Sequence, residues 1–222
     1  MNKIIASAYK RPDELFGLVL AAGESSRMGT EKQLLTYRGR TFIERAIDGF
    51  IHAGIKSIAV VLGHKYELMK SRLKTSYPPA ILTMSDTEII FAENASYKLG
   101  QFSSIRRGIS AVCEKKSVDF YSGFMIQLID RPTVEPETFK KLKEEFLNSP
   151  KSIVIPSFEM HRGHPVCISS AYIGKILELA DTSSLREIIN SNNEDIAYLN
   201  VCDPGIILNI DTPGEYEKIK GA

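Results

Sequence analysis

The sequence predicts an α/β protein, a three-layer α/β/α Rossmann-like arrangement around a mostly parallel, mixed sheet. Three observations predict it. A nearly continuous apolar run at residues 16–22 enters a Gly/Ser-rich segment, the pattern of a buried parallel strand ending in a functional loop. Short apolar runs then alternate with helix-period segments as far as residue 129, which reads as repeated βαβ. After Asp130 the pattern becomes less regular, as expected of a mixed half that covers the ligand edge of the sheet.

Taken in order, residues 1–13 read as a loose leader and residues 16–22 as the first strand. Phe42, Ile43, Ala46, Ile47, Phe50 and Ile51 recur at helical spacing, with Gly54 as the C-terminal stop. An apolar run at 57–62, a helix at 65–74 and apolar runs at 80–84 and 88–92 follow. Ile105, Ile109 and Val112 predict a helix over 103–114, ahead of a strand at 120–129. The remainder reads as a helix at 136–148, strands at 152–156 and 166–169, helices at 171–179 and 184–190, and strands at 196–201 and 206–210. No internal repeat or linker interrupts the chain, so one domain over residues 1–222 is expected.

Composition narrows the function classes. The 222 residues carry 28 Lys and Arg against 27 Asp and Glu, so no global field favours nucleic acid or an anionic membrane, and any bound anion needs a local site. Cys113, Cys167 and Cys202 are odd in number and form no CxxC pair, which argues against a disulfide framework and a zinc site and fits a reducing cytoplasm. The apolar stretch near the N-terminus is too short for a signal-peptide core, and no run of apolar residues is long enough to span a membrane.

The segment after the first strand carries the chemistry. Gly23 lets the backbone turn and approach a phosphate closely. Ser25 and Ser26 offer hydroxyl donors, and Arg27 and Lys32 add the charge a triphosphate requires. The spacing is neither a Walker A loop nor a GxGxxG fingerprint. On physics alone, a strand-to-helix turn with a solvated Arg and Lys explains it equally well.

Leu20-Ala21-Ala22-Gly23-Glu24-Ser25-Ser26-Arg27-Met28-Gly29-Thr30-Glu31-Lys32 resembles the signature of the molybdenum cofactor nucleotidyltransferase-like family, L-A-[AG]-G-x-S-x-R-M-G-x-x-K, at every fixed position. The resemblance implies a Rossmann-like nucleotidyltransferase fold in which residues 20–23, Ser25, Ser26 and Arg27 cradle the triphosphate and Lys32 contacts it near the reacting phosphorus. Ala22 is similar to the cytidylyltransferase branch, whereas the guanylyltransferase branch usually has Gly there. CTP and a molybdopterin-type acceptor are the implied substrates, and a molybdenum hydroxylase is the implied partner enzyme.

Asp130, at the end of the predicted strand in Leu128-Ile129-Asp130-Arg131-Pro132, can hold Mg²⁺ through one carboxylate oxygen or simply form a turn. The resemblance to an L-x-D-x-P motif favours Mg²⁺. Ile129 and Arg131 stand where the family commonly has Gly and Gln. Asp211, before Thr212-Pro213, is either a helix N-cap or, by the same resemblance, the second metal ligand. Ser103 and Ser104 are similar to a family G-x-x-S-S-x-x-x-G segment near the nucleotide, although capping alone explains Ser103. Arg162-Gly163-His164-Pro165 resembles a motif lining the acceptor side, so Gly163, His164 and Pro165 are the acceptor candidates. Arg27, Lys32 and Asp130 are the candidate catalytic residues. A phosphate nucleophile is already anionic near neutral pH, so alignment and charge neutralisation matter more than a general base.

Overall fold

The structure, a computed structural model, describes residues 12–220. Of the predicted leader, residues 1–11 lie outside the described residues. Strand β1 (Leu15–Ala21) is buried at all seven positions, as its lack of polar residues requires. A short hairpin follows, β2 (Thr36–Tyr37) with β3 (Arg40–Thr41). Helix α1 (Phe42–His52) starts on a capping box: Thr41 Oγ1 accepts from the Glu44 amide while the Glu44 carboxylate accepts from the Thr41 amide. Gly54, at φ +65°, stops it.

The chain continues through β4 (Ser57–Leu62), α2 (Tyr66–Ser76), α3 (Pro79–Met84), β5 (Glu88–Glu93), α4 (Gln101–Cys113) and β6 (Gly123–Leu128). It ends with α5 (Pro136–Asn148), β7 (Ile153–Phe158), β8 (His161–Arg162), β9 (Val166–Ser169), α6 (Ile173–Glu178), α7 (Leu185–Asn190), β10 (Ile196–Asn200) and α8 (Pro213–Lys220).

The main sheet runs β10-β7-β9-β6-β1-β4-β5, with β8 extending the pairing of β7. Pairs β6–β1, β1–β4, β4–β5 and β7–β10 are parallel, whereas β9 and β8 run antiparallel to their neighbours. This is the mostly parallel, mixed sheet read from the sequence. Alternate residues of the central strands face two cores. Leu15 and Val19 pack with Ile47, Phe50 and Phe139 of α1 and α5 on one side, and Phe16 and Leu18 with Ile105 and Ile109 of α4 on the other. Three layers follow from that alternation. Phe50 and Phe139 meet edge-to-face at 5.3 Å, and truncating either would cost about 3–5 kcal/mol. No helix among the described residues is long and apolar enough to cross a membrane.

Several expectations shift. The apolar run 80–84 is helical because Pro78 and Pro79 initiate α3. The helix expected at 103–114 begins at Gln101. The strand expected from residue 120 starts at Gly123, because Val118–Phe120 forms a 3₁₀ turn capped by Ser117. Residues 206–210 form no strand. Pro204–Ile206 is a 3₁₀ turn, and the Ile210 amide bonds the Asp130 carbonyl at 2.7 Å instead of a sheet neighbour. That bond brings the C-terminal segment over the carboxyl end of β6.

Candidate active site

The site lies where β1 and β6, adjacent parallel strands, end together. The chain leaves β1 through α1 toward β4 on one side, while β6 lies on the other, so this is a topological switch point. Beyond Ala21 the loop is held in a fixed shape. Gln33, 1% exposed, donates from Nε2 to the carbonyls of Ala21 and Gly23, both at 2.9 Å. Ser25 takes a left-handed conformation at φ +56°, its carbonyl accepts from the Met28 amide at 2.8 Å, and its hydroxyl accepts from the Lys32 amide at 3.2 Å.

The flanks are latched as well. Glu24 accepts from the Tyr97 hydroxyl at 2.6 Å and pairs with Lys98 at 3.1 Å, and Glu31 pairs with Lys65. These partners hold both carboxyls below the usual range: the Tyr97 hydrogen bond leads for Glu24, and the Lys65 hydrogen bond leads for Glu31. Behind the loop, a Cβ on Gly63 would stand 2.6 Å from the Tyr97 ring and 2.8 Å from the Ala22 carbonyl. Only glycine allows this close approach.

The charges converge across sequence. Lys32 Nζ lies 2.7 Å from Asp211 Oδ1, and the Arg27 guanidinium reaches the same oxygen at 3.4 Å. The Lys32 side chain is 9% exposed and that of Arg27 73%, so one cation belongs to the wall and the other to the mouth. The Lys32 hydrogen bond is the main cause holding the Asp211 carboxyl below the usual range. Asp130 is the opposite case: burial pushes its carboxyl up, Lys32 and Arg131 pull it down, and its Oδ1 is buried without a hydrogen-bond partner.

These residues border a cleft of about 330 Å³. All the loop candidates, Leu20, Ala21, Ala22, Gly23, Ser25, Ser26, Arg27 and Lys32, line it, together with Ser104, Asp130 and Asp211. Ser103 does not. Its hydroxyl donates to the Gly100 carbonyl at 2.8 Å and accepts from Asn94 at 2.9 Å, so its hydrogen bonds are spent inside the fold. Gly163, His164 and Pro165 are not brought to the cleft either. The position of a Cβ on Gly163 is 2.5 Å from the Ile206 carbonyl, and the His164 amide donates to that carbonyl at 3.0 Å. The ring of His164 has its Nδ1 sealed from solvent, and burial, with repulsion from Arg131, pushes its pKa down to about 4.

Tyr97, Gly100 and Gln101 also line the cleft, and Gln33 shapes it. In sequence, Gln33 is indistinguishable from a surface polar residue, and Gln101 from an ordinary first helical residue. Among the described residues no group of three or more His, Cys, Asp or Glu side chains could hold a metal ion. Two facing carboxylates, one with an orphaned buried oxygen, suit a hard cation that keeps water and phosphate oxygens as its other ligands. They do not suit a closed protein cage.

Fold and cleft together define an α/β protein in which a loop carrying Arg27 and Lys32 shares a cleft with two carboxylates, Asp130 and Asp211. Residues 17–196 match the family described as the MobA-like NTP transferase domain, and the chain belongs to that family of nucleotidyltransferases. It is 23% identical to a probable molybdenum cofactor guanylyltransferase of Rhodopirellula baltica, over 96% of this chain and 95% of that one. It is 21% identical to the molybdenum cofactor cytidylyltransferase of Escherichia coli, over 90% and 92%. Among solved structures, Rv0371c from Mycobacterium tuberculosis superposes with a TM-score of 0.68 at 25% identity, covering 94% of this chain and 99% of that one.

Proposed function

We propose that the protein transfers CMP from CTP to the phosphate of a molybdopterin-type acceptor and releases pyrophosphate. The observation that carries this reading is the convergence of Arg27, Lys32, Asp130 and Asp211 on one cleft at the end of β1 and β6. An acceptor phosphate oxygen forms the new bond to the α-phosphorus of CTP, and the bond from that phosphorus to the bridging oxygen of the β-phosphate breaks. Lys32, on the wall, and Arg27, at the mouth, offset charge on the transferring and leaving phosphates. The loop carbonyls held by Gln33 keep residues 21–23 against the nucleotide, which gives alignment without a general base.

Asp130 and Asp211 would hold Mg²⁺, which when bound neutralises phosphate charge and polarises the reacting phosphorus. A manganese complex of Rv0371c, 22% identical and with a TM-score of 0.64, supports a divalent ion in this fold. Ala22 lines the cleft and supports the cytidine assignment, while the names of both relatives support the molybdopterin acceptor. The reading includes a single domain working in the cytoplasm, delivery of the product to a molybdenum hydroxylase, and no nucleic-acid or membrane partner. Because Gly163–Pro165 lie off the cleft, a sugar or polyol phosphate is the second acceptor class.

The test incubates the protein with each NTP and Mg²⁺, with and without molybdopterin, and follows pyrophosphate. Release that needs CTP and molybdopterin together supports the reading. Release with a sugar or polyol phosphate instead reassigns the acceptor, and tight molybdopterin binding without release under any condition makes the protein a carrier.

A further inference from the structure

The Gly163-His164-Pro165 turn and Arg131 are both left without a role by the cleft, yet they meet at one atom. The carbonyl of Ile206 accepts from the His164 amide at 3.0 Å and from the Arg131 guanidinium. Arg131 is itself held from the strand side, because its own carbonyl accepts from Gln127 Nε2 at 3.2 Å. Ile206 begins the stretch that runs, without sheet pairing, to Asp211, and its only other tie to β6 among the described backbone bonds is Ile210 to Asp130.

A segment lacking sheet partners holds its side chains only as well as its few anchors allow. Two anchors at Ile206 and one at Ile210 help fix the path on which Asp211 stands: Arg131 and the Asp130 carbonyl attach it just beyond the end of β6, and the His164 amide attaches it to the turn before β9. We propose that Arg131 and Gly163 are positioning residues that set the placement of Asp211 against Asp130, so that the glycine-histidine-proline turn serves the metal side of the site rather than acceptor contact. The proposal rests on the metal role given above to the two carboxylates. Arg131 acts by spanning from β6 to the Ile206 carbonyl. Gly163 acts by lacking a Cβ, which would stand 2.5 Å from that carbonyl and 2.6 Å from Ile206 Cβ, close enough to force this backbone to move.

Charge and position predict opposite signs for Arg131. Removing a buried cation beside two carboxylates would tighten divalent-ion binding, whereas losing the anchor would weaken it. Gly163→Ala changes position with no change in charge, and Arg131→Lys keeps the charge and a donor.

The experiment titrates MnCl₂ alone into the full chain and reads free Mn²⁺ by electron paramagnetic resonance, with Asp130→Asn and Asp211→Asn as references and circular dichroism as a folding control. The expected result is that Arg131→Met and Gly163→Ala each bind Mn²⁺ about 10-fold more weakly or worse, the usual scale for loss of an outer-shell support. Arg131→Lys should recover most of the wild-type affinity. Wild-type affinity in Arg131→Met, or tighter binding in it, overturns the proposal even if Gly163→Ala unfolds. Mn²⁺ binding that is indifferent to both Asp130→Asn and Asp211→Asn overturns the metal reading itself, and the positioning role with it.

Discussion

The ammonium of Lys32 lies 2.7 Å from Oδ1 of Asp211, a residue 179 positions away, and Arg27 reaches the same oxygen at 3.4 Å. One carboxylate thus gathers both loop cations. The pairing links the loop after β1 to the C-terminal segment and sets up a competition, because a triphosphate offers the same two cations several anionic oxygens in place of one. Under the function proposed above, nucleotide binding would free Asp211 to act together with Asp130.

Lys32→Ala and Asp130→Ala should fold normally and lose CTP-dependent pyrophosphate release by about 10²-fold or more, the scale of a lost electrostatic stabiliser. A coupled pyrophosphate assay measures it. Near-normal turnover in both variants would sink the assignment of these residues to the chemistry.

Gln33→Leu should destabilise the protein and loosen the nucleotide. The substitution leaves the Ala21 and Gly23 carbonyls without their donor in a largely buried setting, at a cost of about 1–3 kcal/mol. Urea unfolding reports the stability loss, and a CTP titration should show weaker binding. Unchanged CTP affinity would mean the loop keeps its shape without the clamp.

Ala22→Gly should shift base preference from CTP toward GTP. Ala22 is 5% exposed and lines the cleft, and a single methyl group in a pocket is worth about 10-fold in discrimination. The check is the ratio of CTP to GTP dissociation constants in the two proteins. A ratio that does not move removes Ala22 from base selection.

His164 makes stability pH-dependent in a defined window. Its ring is held neutral down to about 4, against an ordinary value of 6.5, so on acidification the unfolded chain takes up the proton first. The contribution is fully present above pH 6.5 and is lost as pH falls toward 4, on the order of 3 kcal/mol in all. Melting temperatures followed between pH 7 and 4.5 should fall less steeply for His164→Gln than for the wild type. Parallel slopes would show that the ring ionises freely in the folded state.

The sequence by itself determined the sheet and the loop. The apolar run that became β1, the helical stripe Ile43, Ala46, Ile47 and Phe50, and the alternation through β6 are local patterns set by burial, which any fold must satisfy. The stretch from Leu20 to Lys32 was legible because its glycine, hydroxyls and cations lie within a few residues of one another. Tertiary structure alone decided which partners those residues meet. Asp211 stands beside Lys32 where the Ile210 amide bonds the Asp130 carbonyl, and in residues 206–210, apolar enough to suggest a strand, the Ile206 and Ile207 amides bond back to Asp203 and Pro204 rather than to a sheet neighbour. Ser103 and His164 read as ligand contacts in sequence, but Gly100 and Asn94 take up the Ser103 hydroxyl within the fold and the Ile206 carbonyl takes up the His164 amide, away from the residues that line the cleft. Gln33, silent in sequence, shapes the loop through two carbonyls that only the folded chain brings to its amide.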